Sequence, residues 1–196
     1  EKFSMGASPF SVQAIRDQFP ALRQQVYGKQ LIYFDNGATS QKPQVVLDTL
    51  KQYYALENAN IHRGVHYLSQ QATTAYEQAR RTIQSYIGAK SPDEIIFTKG
   101  TTDGINLVAF SFGELLKPGD EILITAMEHH SNIVPWQMLA AEKGFTIRWV
   151  PLTHDGLLDL SDLDRLLDGA KVLSFTAMSN VLGTIPPIQQ LCAAAH

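Results

Sequence analysis

The sequence predicts an α/β fold, a mostly parallel sheet flanked by helices. Strand-like and helix-like segments alternate from residue 95 onward, which implies parallel strands joined by crossover helices. The strand-like segments are short, and the first, at 95–98, is β-branched and aromatic; turn chemistry, Lys117-Pro-Gly-Asp120, precedes the next. From the start of the chain, residues 10–27 read as a short helix and its connection, anchored by Phe10, Ile15, Phe19 and Leu22. Residues 31–34 read as a strand and 35–38 as a turn. Pro43 suits the first turn of a helix, and Val46, Leu47, Leu50 and Tyr54 give that helix an apolar stripe. Residues 58–64, rich in Asn and Gly, form a loop, and a long helix follows over 69–87. Strands are then expected at 95–98, 121–125, 146–151 and 171–176, with helices at 103–116, 132–143, 159–168 and 187–196. The Leu-Asp run at 157–168 reads as an amphipathic helix with solvated acids rather than a carboxylate site.

Composition narrows the function classes. A hydrophobic content of 44% suffices for a sizeable core. A net charge of −3 leaves no general basic footprint for nucleic acid, so no nucleic-acid partner is expected. No apolar run approaches a membrane span, and the first nine residues lack a long apolar signal core, so no membrane association is expected. The lone Cys192 argues against a disulfide scaffold and fits a reducing compartment. Ile188, Leu191, Cys192 and Ala195 fall at helical spacing, which makes Cys192 a buried small hydrophobe.

Two segments carry chemistry. Lys99-Gly-Thr-Thr-Asp-Gly-Ile-Asn106 reads as a strand end, a tight turn and a helix start, where hydroxyls and free N–H groups make a phosphate-sized anion site. Taken alone, the same pattern describes a helix capped by Thr. Met127-Glu-His-His-Ser-Asn-Ile-Val-Pro-Trp136 sets His129 and His130 just after the next strand, on the sheet edge where α/β folds bind ligands. An imidazole is planar and titrates near neutral pH, so His129 suits ring stacking and proton transfer, although a single His is often a core residue. No ligand spacing around the pair suits zinc, and the His62 and His66 spacing sits in a Gly-containing loop, so no metal is expected. Asn180 ends the apolar strand 172–178, which places an amide at the sheet's carboxyl edge, although an Asn there also suits a simple turn.

Together these segments resemble the pyridoxal-phosphate (PLP) enzymes of aminotransferase fold type I, and within them the class V, group II cysteine desulfurases and selenocysteine lyases of the Suf type. Tyr33-Phe-Asp-Asn-Gly-Ala-Thr-Ser-Gln-Lys-Pro43, Asn60-Ile-His-Arg-Gly-Val-His66, the two segments above and Ser179-Asn-Val-Leu-Gly183 occur in the family's order. Gly37 stands where the family usually has Ala, which loosens the local turn. The resemblance implies that residues 1–30 contribute to the small domain and 31–196 form the first part of the large, PLP-binding domain. It implies a phosphate cradle at Thr101 and Thr102, His129 on the cofactor ring as the catalytic residue, and Asn180 at the ring oxygen and near the substrate. It places Ala38, His62 and Arg63 at the substrate, with the loop of His62 and Arg63 at a dimer interface. An Arg guanidinium suits carboxylate recognition.

The activity so implied is removal of sulfur from L-cysteine to give alanine and an enzyme persulfide, which passes to a Suf-type acceptor protein for iron–sulfur cluster assembly. Selenocysteine cleavage is related chemistry. A cytoplasmic homodimer is expected, with an organelle as the other location. In the family, the Lys that bonds PLP, an Asp at the pyridine nitrogen and the sulfur-accepting Cys follow residue 196, and no Lys here sits in the required Ser-x-His-Lys segment. Two rivals fit the same residues: another fold type I lyase or epimerase, and a non-catalytic fragment acting as an interaction module.

Overall fold

A computed structural model describes residues 10–196. The first nine residues of the N-terminal segment lie outside the described residues. The chain divides into two compact units, Glu1–Ile96 and Phe97–His196.

The first unit is mostly helical. Val12–Arg16 (α1) starts at Ser11, whose hydroxyl accepts from the Ala14 N–H. A two-residue hairpin follows, Gln25–Val26 (β1) against Lys29–Gln30 (β2). Its turn is Tyr27-Gly28, with φ of 53° and 74°, the positive pair that matches strand twist. Gln44–Gln52 (α2) leads into a π-helical turn, Tyr53–Glu57, and Tyr67–Ile87 (α3) is the long helix expected from the sequence.

The second unit builds the sheet. Thr101–Gly113 (α4) precedes Glu121–Thr125 (β3), Val134–Lys143 (α5), Thr146–Val150 (β4), Leu163–Leu167 (α6), Ala170–Ser174 (β5) and Ile188–Ala195 (α7). The strand order is β4-β3-β5, both pairings parallel, so the predicted α/β class holds. Ile122, Leu123, Ile124 and Thr125 of central β3 are fully buried. Strand alternation sends Ile122 and Ile124 to one face, where they pack with Ala109, Leu116, Trp136, Leu139 and Phe145 from around α4 and α5. Leu123 joins Met127, Val150, Leu158, Leu163 and Leu191 on the other. Each such Leu or Ile contributes about 1.5–3 kcal/mol, which is why a strand covered on both sides is continuously apolar. No helix among the described residues is long and apolar enough to cross a membrane.

Four local expectations change. Residues 31–34 and 95–98 lie outside both sheets. Their composition suits a pleated surface, but a strand exists only where a neighbouring backbone closes its ladder. The hairpin at 25–30 takes the place of the expected connection. The helix expected over 159–168 shortens to α6, because the Asp159 carboxylate accepts from the N–H and hydroxyl of Ser161, and this side-chain turn competes with helix. Cys192 is exposed rather than buried: Leu191 is the α7 residue that reaches the core, and its neighbour is rotated off that line.

Candidate active site

The site residues of the second unit follow the carboxyl ends of its parallel strands or open a helix. α4 starts at Gly100, whose φ of 154° favours glycine, and no side chain caps the N–H groups of its first turn. Thr101 and Thr102 are exposed there. Asp103 does not cap this turn; its carboxylate accepts from the Lys99 N–H, 3.1 Å away, and ties the turn to the preceding segment. Uncapped amides, two hydroxyls and the positive end of a thirteen-residue helix suit a phosphate dianion.

β3 ends at Thr125, and four residues later His129 caps a single 3-10 turn, His130–Asn132. Its Nδ1 accepts from the Ser131 N–H at 3.1 Å and lies 2.9 Å from the Ser131 hydroxyl. A nitrogen that accepts carries no proton, so the neutral ring holds its proton on Nε2. The ring is exposed, while Ser131 and Asn132 behind it are buried. The His130 ring lies 6.1 Å away at a tilt of 38°. α4 packs against this same 3-10 turn, which brings the segment opened by Thr101 and the segment opened by His129 together.

Sequence reasoning missed what holds the loop. The Glu128 carboxylate accepts from the Thr125 hydroxyl, from the Thr176 N–H at 2.7 Å and from the Asn132 amide at 2.8 Å. The Asn132 oxygen in turn accepts from Trp136 Nε1 at 3.1 Å and from the Ser174 hydroxyl at 2.8 Å. The signal was present as polar or amphipathic residues spaced by four at 128, 132 and 136. Asn180 does not end the strand: β5 stops at Ser174, and Asn180 opens an exposed turn held by the Ser179 hydroxyl, which accepts from the N–H groups of Val181 and Leu182.

Ala38, His62 and Arg63 belong to the first unit. Ala38 lies in the expected 35–38 turn, its N–H donating to the Asp35 carbonyl at 3.2 Å. His62 adopts a left-handed φ of 64°. Its N–H donates to the Thr73 hydroxyl, its Nε2 pairs with Glu77 at 2.9 Å, and its ring stands edge-on to Tyr76, so α3 holds it. Arg63 is exposed beside it. Gly64 packs so closely that a Cβ there would lie 2.4 Å from Ser69 Cβ.

The Aminotransferase class-V family pattern matches residues 32–196. This chain belongs to that family. Enzymes of the class V family depend on PLP. The chain is 50% identical over 188 residues to a cysteine desulfurase of Serratia proteamaculans, covering 95% of this chain and 46% of that one. It is 49% identical to a cysteine desulfurase of Synechococcus elongatus, covering 98% of this chain and 31% of the other. The apo cysteine desulfurase of Thermococcus onnurineus NA1 superposes with a TM-score of 0.88 at 40% identity, covering 96% of this chain and 46% of that one. The chain thus spans less than half the length of each of these relatives.

Proposed function

We propose that these residues form the phosphate-binding and ring-contacting part of a PLP-dependent cysteine desulfurase. The observation that carries this reading is His129, exposed just past β3 with Nδ1 engaged and Nε2 left to meet a reactant. Thr101 and Thr102 bind the phosphate, and the first-turn amides of α4 match its charge. His129 covers the ring face and moves a proton at Nε2. Asn180 donates to the ring oxygen and borders the substrate. Ala38 contributes backbone contact to the substrate, and His62 and Arg63 complete its recognition across a dimer interface, with Arg63 pairing its carboxylate. Bound PLP supplies the electron sink.

In the overall reaction the carbon–sulfur bond of L-cysteine and the S–H bond of an enzyme thiol break, a sulfur–sulfur bond forms between the two sulfurs, and the β-carbon gains a proton, balancing the one the thiol gives up, to become the methyl group of alanine. The finer reading includes a Suf-type role, transfer of the persulfide sulfur to an acceptor protein for iron–sulfur assembly, selenocysteine cleavage as related chemistry, a homodimer and a cytoplasmic or organellar location. It also keeps residues 1–30 with a small domain and 31–196 with the large one. The test is a single turnover of the full-length, PLP-loaded protein with L-cysteine. Alanine and protein persulfide should appear in equal amounts, and turnover of cysteine without persulfide would overturn the reading.

A further inference from the structure

We infer that Glu128 is a positioning residue: it fixes the loop that presents His129 by tying that loop to the ends of both β3 and β5. This rests on the reading of His129 given above and adds how its geometry is held. All three donors to the Glu128 carboxylate are neutral: the Thr125 hydroxyl at the end of β3, the Thr176 N–H just beyond β5 and the Asn132 amide. A partly buried carboxylate satisfied only by neutral donors is a costly way to join two strands, and an apolar side chain would stabilise the same space more cheaply. What the carboxylate adds is direction. It accepts from three sides at once and locks the backbone immediately before His129, while Asn132 is locked three residues after it. Between these two fixed points Ser131 sets the tautomer. The ring is thus exposed but held from behind at both flanks.

Glutamine cannot replace this carboxylate. Its oxygen can serve Thr125 and Thr176, but its amide nitrogen then faces the Asn132 nitrogen. Asn132 cannot turn over to relieve the clash, because Trp136 Nε1 is a donor and requires the Asn132 oxygen where it is.

The experiment compares Glu128→Ala, Glu128→Gln, His129→Ala and the double variant Glu128→Ala/His129→Ala in the full-length protein. Three quantities are read: the His129 ring tautomer by nitrogen NMR of histidine-labelled protein without PLP, the visible dichroism of the PLP-loaded protein, and kcat against KM for cysteine. In each Glu128 variant the single Nε2–H tautomer should give way to a mixture, and the dichroism should fall. The kcat should drop on the order of 10–100-fold, the scale of a small misplacement, with KM changed less than about threefold. On the His129→Ala background, loss of Glu128 should cost no more than about twofold further. Should Glu128→Ala fail to fold, Glu128→Gln alone decides. An unchanged tautomer and dichroism, or a loss that multiplies fully with that of His129→Ala, overturns the positioning role. Wild-type kcat in His129→Ala instead overturns the reading of His129, while the tautomer still reports whether Glu128 positions it.

Discussion

At the scale of single residues, local chemistry often settles a conformation before packing acts. Ser131 shows this at the site, where one N–H determines which nitrogen of His129 carries the proton. Asp159 shows it away from the site. The hydroxyl and N–H of Ser161 hold its carboxyl below the usual value of 3.8, because both bonds favour the charged form. A carboxyl depressed in the folded state stabilises above its unfolded value, and that contribution disappears as pH falls through the folded value. The contribution is therefore fully present at neutral pH, and only its pH dependence is confined to acidic solution, below about 3.8. Carboxyl-carbon NMR should place the Asp159 midpoint below 3.8, and Ser161→Ala should move it upward. A midpoint unmoved by Ser161→Ala would remove the assigned cause.

At the scale of elements, the loop of His62 and Arg63 is built onto the first turns of α3. The Ser69 hydroxyl donates to the Asn60 carbonyl at 2.7 Å, and His66 caps the helix by accepting from the Ser69 N–H. Gly64 fills the remaining gap, where any Cβ would overlap Ser69. Gly64→Ala should therefore cost about 1–3 kcal/mol of stability, the usual penalty for overpacking. Because the same shift moves Arg63, it should also raise KM for cysteine in the full-length protein. Thermal unfolding and steady-state kinetics check both, and wild-type values in each would show that the loop has room to give. The loop itself was legible from its Asn and Gly content. Its anchoring was not, since Glu77 lies fifteen residues from His62 and only the helix brings them together.

At the scale of the whole molecule, the two units and their motifs match relatives more than twice as long. The desulfurase reading proposed above expects the cofactor-bonding lysine beyond residue 196. Borohydride reduction of the full-length, PLP-loaded protein, followed by peptide mass spectrometry, should therefore label no lysine within residues 1–196 stoichiometrically. Full labelling of Lys99 or any other lysine here would contradict the assignment of this stretch. The same scale explains the extended segments at 31–34 and 95–98, which lie outside both sheets. Strand composition is a property of a segment, whereas a ladder is a property of two.

What the sequence alone determined is the α/β alternation, the order of family motifs and the identity of Thr101, Thr102, His129 and Asn180 as candidates. These depend on spacing and residue chemistry within a dozen positions, which a linear reading captures. Tertiary structure alone decided that Cys192 faces outward, that β5 ends six residues before Asn180, and that Glu128 and Asn132 hold the His129 loop. The reason is separation along the chain. Ser174 reaches Asn132 across 42 residues and Thr176 reaches Glu128 across 48, and such contacts exist only once parallel pairing has set β3 and β5 side by side.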